Sequence, residues 1–174
     1  MKEHPILFTG PMVRQILAGH KTQTRRIVKF PPGYVPPRTG ESQGTVMGTA
    51  DWKAQPGDRL WVRETWAQTT VAGNELFVYR EADSRTDYGG PWRPSIFMPR
   101  AAARLFLDVV SLGCQRLQDI SHDDACAEGI PSQKGGAAAC IDRYRVIWQI
   151  INGPGSWDLN PWVWVIKFRR SPTQ

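Results

Sequence analysis

The side chains with the clearest chemical potential lie close together in the stretch KTQTRR, between Lys21 and Arg26. Thr22 and Thr24 are β-branched and alternate with other polar residues, a pattern that predicts a strand. Positions two apart on a strand share a face, so we expect both hydroxyls to point to the same side as the Arg26 guanidinium. Hydroxyls can act as nucleophiles, and an amine can take up a proton. This row of side chains beside Lys21 therefore indicates the lining of a polar pocket.

The same stretch resembles the signature of a known family. Gly19, Lys21 and Arg26 match G-x-K-x-x-x-x-R, the signature of the ASCH domain, a small β-barrel of the PUA-like superfamily associated with RNA. The longer pattern ILAG-x-K-T-x-T-x-R, which starts at Ile16, is similar to that of short bacterial ASCH proteins that hydrolyse N4-acetylcytidine. The segments GDRLWVRETW and NPWVWVI resemble longer phage and bacterial ASCH proteins of unassigned activity.

The resemblance implies a catalytic set of a lysine, a threonine and a glutamate, carried here by Lys21, Thr24 and Glu128. The reaction it implies removes an acyl group from the exocyclic amine of a modified pyrimidine nucleoside. Lys21 could take the proton of Thr24 if burial or the charge of Arg26 lowers the lysine pKa. The negative charge of Glu128 acts against that shift. In the alternative, Glu128 activates a water and Lys21 donates to the oxyanion; the sequence leaves both divisions of labour open.

Four further residues are predicted to bind substrate: Thr22, Arg25, Arg26 and Glu64. Glu64 lies in an alternating segment at 59–67, on the face that carries apolar residues. An acid on an apolar strand face needs a partner, because burial of an unpaired charge is costly. We expect that partner to be Arg26.

The positive charge of the chain is concentrated near its beginning. The net charge is +6, yet residues 1–38 hold seven Lys or Arg and a single acid, and the remainder holds fifteen of each sign. Guanidinium groups gathered near a candidate pocket favour a polyanionic partner, although a solvated basic face would look the same. The partner we predict is a modified nucleoside or single-stranded RNA.

Two other functions fit the same residues. A PUA-like barrel could hold RNA or one modified base without turnover, since the chain has eight tryptophans and base–aromatic stacking provides affinity. Metal-independent cleavage of RNA is also known within the ASCH group, where a lysine and a hydroxyl could assist attack by a 2′-OH. We retain both as alternatives to the hydrolase.

Composition limits the remaining possibilities. No apolar run is longer than residues 162–166, and the N-terminal segment lacks the apolar stretch of a secretory signal, so we expect a cytoplasmic protein with no membrane partner. Cys114, Cys126 and Cys140 form no zinc or disulfide pattern in the sequence. His122 stands four residues before Cys126, the spacing of a ligand pair on a helix, but no third ligand is evident. We therefore predict no metal and no cofactor, and the oligomeric state stays open.

Periodicity predicts one α+β domain over 1–174, of the PUA-like barrel type that the resemblance implies. A loop rich in Pro and Gly at 30–57 interrupts it, and Tyr34 and Trp52 within this loop could stack on a base or anchor the loop. Whether the loop closes over the pocket stays open. The elements we predict are strands at about 6–8, 22–29, 59–67, 76–81, 105–117 and 162–168, and helices at about 10–18, 121–128 and 141–152.

Overall fold

Seven strands and four α-helices make up the part of the chain that the computed structural model describes, which is residues 1–35, 43–49, 52–71, 73–81, 91–131 and 136–172. In chain order the elements are β1 (Glu3–Leu7), α1 (Gly10–Leu17), β2 (Gln23–Ile27), α2 (Gln43–Thr49), β3 (Arg59–Arg63), β4 (Trp66–Val71), β5 (Asn74–Tyr79), β6 (Phe106–Arg116), α3 (His122–Ala127), α4 (Gly136–Asn152) and β7 (Trp162–Arg170). Short 3₁₀ turns span Ser95–Phe97, Arg100–Ala102 and Leu117–Asp119.

Five of the strands form one mixed sheet in the order β1-β3-β6-β7-β2. β1 pairs with β3 in parallel, and the other neighbours are antiparallel. β4 and β5 form a separate antiparallel ribbon. The α+β class is therefore confirmed. None of the helices found in the described ranges has the length and apolar character needed to cross a membrane.

Strand β7, which lies between β6 and β2, accounts for the apolar run at 162–166. Trp164 and Ile166 lie in the main core, whereas Val163 and Val165 lie in a second core together with residues of α3 and α4. A strand covered on both faces has no need of polar residues at alternate positions, so its sequence is apolar throughout. β7 therefore places β2, its antiparallel neighbour, directly beside the helical layer.

Several predicted elements are confirmed and others need correction. The long bent strand at 105–117 is β6, and its register shifts between Val109 and Ser111. The strand predicted at 59–67 is wrong in extent, because β3 ends at Arg63 and the chain then enters the separate ribbon at Trp66. The helix predicted from 141 begins earlier, at Gly136.

The segment at 30–57 is only partly a loop. It contains α2, which the Pro and Gly content did not predict, while residues 36–42 and 50–51 lie outside the described residues. The Tyr34 ring stacks on the Phe30 ring with centroids 5.2 Å apart. Trp52 packs against the main core, so it anchors this segment to the body of the protein.

Candidate active site

Backbone hydrogen bonds bring the beginning of β2 against the end of α3. The amide of Lys21 donates to the carbonyl of Gln15 in α1 at 3.0 Å, and the amide of Thr22 donates to Ala127 at 2.8 Å. Lys21 and Glu128 also form an isolated antiparallel bridge. The two residues are 107 positions apart in the chain. Their approach is therefore set by main-chain pairing as well as by their side chains.

The short helix α3 holds Glu128 at a defined position. The Ser121 hydroxyl accepts from the amide of Asp124, and the Asp124 side chain accepts from the amide of Ser121, which completes a capping box. Glu128 is the C-cap residue, and Gly129 follows with φ +93°. Since only glycine takes this conformation without strain, the helix ends there and the Glu128 side chain turns towards β2.

A buried ion network forms around the Glu128 carboxylate. Lys21 Nζ donates to Glu128 Oε2 at 2.7 Å and to the Glu128 backbone carbonyl at 2.9 Å. Arg25 Nη1 donates to Glu128 Oε1 at 3.2 Å. Lys21 is 2% exposed and Glu128 is 8% exposed. Both carboxylate oxygens are thus held by cations, which offsets the unfavourable position of an anion at a helix C-terminus.

A second acid of α3 extends this network. Asp124 accepts from Arg25 Nη2 at 2.9 Å and from Gln23 Nε2 at 3.2 Å. Burial acts to raise the pKa of Asp124, but Arg25 and the hydrogen bonds from Gln23 and Ser121 outweigh burial and lower it. The sequence analysis did not select Asp124 or Gln23 as site residues. Asp124 caps α3 through Ser121, and its contact with Arg25 gives it a second role.

The face of β2 that meets α3 differs from the one expected. Lys21, Gln23 and Arg25 form the row that contacts the acids, because the odd-numbered positions face α3. Thr22 is exposed, whereas Thr24 is only 2% exposed. The sequence predicts that side chains alternate along the strand. It does not determine which face of the strand the helix α3 covers.

Two cavities meet at Glu128. The first has a volume of about 490 Å³ and is lined by Thr24, Arg25 and Arg26 together with aromatic residues. The second has a volume of about 450 Å³ and is lined by Lys21 and by residues of α1 and α4. Glu128 and Tyr144 line both cavities, and Thr22 and Glu64 line neither.

Thr24 and Lys21 each share a cavity with Glu128, but the two cavities are different. Thr24 lines the first cavity with Glu128, and its hydroxyl has no hydrogen-bond partner within the described residues. The Lys21 amine contacts Glu128 and is not hydrogen-bonded to Thr24. Lys21 and Glu128 are therefore in direct contact, whereas Thr24 shares the first cavity with Glu128 but not with Lys21.

Arg26 contacts β1 rather than an acid. Its Nη2 donates to the Leu7 carbonyl at 2.5 Å, and its guanidinium lies 5.2 Å from the Phe8 ring centroid. The expected Glu64–Arg26 pair is wrong. Glu64 accepts two hydrogen bonds from Arg104, each at 2.9 Å, and is 1% exposed. Arg104 follows Glu64 by 40 residues, and nothing in the sequence pattern distinguished it from other arginines.

Burial changes the proton affinity of two groups at this site. Burial lowers the pKa of Lys21; the charge and hydrogen bond of Glu128 oppose this, and the charges of Arg26 and Arg25 add to it. Burial also raises the pKa of Tyr144 well above its ordinary value, and the Glu128 charge adds to that increase. Tyr144 is therefore a neutral phenol, with a hydroxyl that can donate a hydrogen bond.

The sequence analysis also did not select most of the aromatic residues that line the first cavity. Trp52, Trp148 and Trp164 line it, and the Nε1–H groups of Trp52 and Trp148 are buried with no hydrogen-bond partner among the residues described. Tyr144 and Trp148 lie within the helix predicted at 141–152, and the sequence analysis did not select them as site residues. The Tyr144 O–H and the Trp148 N–H were the available signal for a site here, because a buried polar group normally needs a hydrogen-bond partner.

Comparisons of the chain with protein-family models, with curated proteins and with solved structures gave no match. The ASCH resemblance therefore stays a prediction.

We expect Gly129→Ala to destabilise the fold more than Gly19→Ala. Both glycines have positive φ, which costs an alanine about 1–2 kcal/mol. At Gly129 the new Cβ would also lie 3.0 Å from Gln15 Cβ and 3.2 Å from Lys21 Cβ, whereas Gly19 has open space. The expected losses are roughly 3 kcal/mol for Gly129→Ala and roughly 1 kcal/mol for Gly19→Ala, measured by urea unfolding. Equal losses would contradict the close packing of α1, β2 and α3.

Proposed function

We propose that this chain is an ASCH domain with a PUA-like barrel. The motif residues Gly19, Lys21 and Arg26 support this assignment. A further support is the contact between the two strands at opposite ends of the five-stranded sheet, where Arg26 of β2 donates to the Leu7 carbonyl of β1. Phe8 also packs near Phe168, with ring centroids 6.2 Å apart. Such contacts are those expected of a sheet that curls so that its edges approach each other.

We propose further that the protein removes an acyl group from the exocyclic amine of a modified pyrimidine nucleoside, as in N4-acetylcytidine. The observation that carries this proposal is the buried contact of Lys21 with Glu128 beside a cavity lined by the Thr24 hydroxyl. A buried amine and carboxylate next to a hydroxyl without a partner are a costly way to stabilise a fold. They provide the nucleophile and the proton carrier that amide hydrolysis needs.

Of the two divisions of labour, the geometry favours Thr24 as nucleophile and Lys21 as base. Both Glu128 oxygens accept hydrogen bonds from cations, so the carboxylate is suited to hold Lys21 and Arg25 in place. Burial lowers the pKa of Lys21, which favours the neutral amine that a base requires. Lys21 and Thr24 are not hydrogen-bonded to each other and line different cavities, so the proton transfer requires a rearrangement when substrate binds.

The steps then follow from these roles. The Thr24 oxygen forms a bond to the acyl carbon while its proton passes to Lys21, and Tyr144 is placed to donate a hydrogen bond to the oxyanion. The C–N bond then breaks, and the Lys21 proton passes to the leaving amine of the nucleoside. Water next attacks the Thr24 ester and loses its proton to Lys21. The C–O bond to Thr24 then breaks while Lys21 returns this proton to the Thr24 oxygen, which releases the carboxylic acid and restores both the hydroxyl and the neutral amine.

We expect Thr24→Val to lower the rate of N4-acetylcytidine deacetylation by at least about 100-fold, because the nucleophile is lost. Thr22→Val is the matched control on the same strand, and its rate should stay unchanged, since Thr22 is exposed and outside both cavities. Product nucleoside is measured by chromatography. Lys21→Ala should also be inactive, and full turnover by a Lys21→Ala protein with an intact thermal transition would reject the hydrolase.

A second candidate is a binding module without turnover. Three tryptophans line the first cavity beside Arg25 and Arg26, and indole and guanidinium planes both stack on bases. Incubation with N4-acetylcytidine, and separately with short single-stranded RNA, distinguishes the functions when divalent metal is omitted. Deacetylation indicates the hydrolase, binding without product indicates the module, and strand cleavage indicates a metal-independent ribonuclease.

The pH dependence of the reaction should distinguish the roles of Lys21. If neutral Lys21 is the base, kcat rises with pH through a midpoint below the ordinary lysine pKa of about 10.4. The charged groups that act on Lys21 are Glu128 from α3 and Arg25 and Arg26 from β2. Arg26→Gln removes a charge that lowers the Lys21 pKa, so the midpoint should move to higher pH.

Lys29→Gln is the control for that shift, because Lys29 also lines the first cavity but is not among the charges that act on Lys21. Its midpoint should equal that of the unmodified protein. A kcat that falls as pH rises through this range would instead assign Lys21 the role of a protonated donor.

A further inference from the structure

A cluster of three metal-ligating side chains lies beside the ion network. The ligand atoms of His122, Cys126 and Cys140 all lie within 4.8 Å of one another. We propose that these residues bind one Zn²⁺ ion. The proposal does not depend on the hydrolase, because none of the three residues lines either cavity.

The packing of α3 against α4 assembles this cluster. His122 and Cys126 are four residues apart in α3 and so share one face of the helix. Cys140 lies in the first turns of α4 and is fully buried. The sequence showed the first two as a ligand pair without a third member. Cys140 is that third member, and only the contact between the two helices reveals it.

The distances suit a tetrahedral ion. His122 Nε2 lies 3.7 Å from Cys126 Sγ. Zinc–nitrogen bonds of about 2.05 Å and zinc–sulfur bonds of about 2.3 Å at a tetrahedral angle place these atoms about 3.6 Å apart. The separation of these two atoms therefore already matches that of two ligands of one ion.

The polar atoms of the cluster are poorly satisfied by protein groups. His122 Nδ1 is buried with no hydrogen-bond partner among the described residues, and the Cys140 thiol contacts the Pro131 carbonyl at 3.8 Å and the Cys126 thiol. The three cysteines of the chain are free thiols. Buried imidazole and thiol groups with such weak partners are well suited to coordinate an ion.

The donor set also selects the metal. Two thiolates and a neutral imidazole balance the charge of a divalent ion, and thiolate with imidazole favours Zn²⁺ over Mg²⁺ or Ca²⁺. His122 and Cys126 are partly exposed, which leaves room for water as a fourth ligand. The ion would join α3 to α4 and brace the short helix that ends at Glu128.

Titration of the reduced, metal-free protein with Co²⁺ tests the site directly. We expect one Co²⁺ per chain, with the visible bands of a tetrahedral ion and a near-ultraviolet thiolate charge-transfer band. Cys126→Ser and His122→Asn should weaken binding and change these bands. Cys114→Ser is the control, since Cys114 is a buried thiol of β6 in the other core, and its spectrum should match that of the unmodified protein.

Thermal unfolding with zinc gives a second readout. Zinc at 100 times its Kd should raise Tm by roughly 5–10 °C in the unmodified protein and in Cys114→Ser. The increase in Tm should disappear in Cys126→Ser. Cys126 is chosen over the fully buried Cys140 because a substitution at a partly exposed position is less disruptive to folding. Absence of Co²⁺ bands, or equal binding by Cys126→Ser, His122→Asn and Cys114→Ser, would overturn the proposal. Formation of a Cys126–Cys140 disulfide in place of metal binding, with reductant present, would overturn it as well.

Discussion

A carboxylate buried between two cations is the interaction on which this structure depends. Glu128 is at the C-terminal end of a helix, where the helix dipole disfavours an anion, and it has little access to water. Lys21 and Arg25 compensate with three hydrogen bonds. Loss of one partner from such a group typically costs about 3–5 kcal/mol, because the remaining charge stays buried. The same contacts that hold α3 on β2 therefore also bring the reactive groups together.

Local signals were sufficient for the elements that build this contact. Gly19 and Gly129 follow the ends of α1 and α3, and the strand predicted at 162–168 is β7. Local signals failed where the chain changes partners. The residues from Arg59 to Ala67 alternate without interruption, yet β3 and β4 belong to different sheets. Alternation records which face is buried and contains no information about the strand on either side.

The site could be predicted in part for a similar reason. Motif spacing identified Lys21 and Thr24, but the partner of Glu64 had to be chosen among many arginines, and Arg104 makes the contact. Cys140 was likewise one of three cysteines with no distinguishing pattern. Pairings between residues far apart in the sequence are set by how helices and strands pack. A single sequence contains both residues of such a pair but does not determine which two residues will be in contact.

The shape of the first cavity limits what the buried ion network can act on. Its volume of about 490 Å³ is in the range of small-molecule sites, so a single nucleoside or one unstacked base fits and a duplex does not. Three tryptophans, Thr24 and the guanidinium groups of Arg25 and Arg26 line it together. In the proposed reaction, the indole groups can stack on the pyrimidine ring. Thr24 would then act on the acyl group that the ring carries.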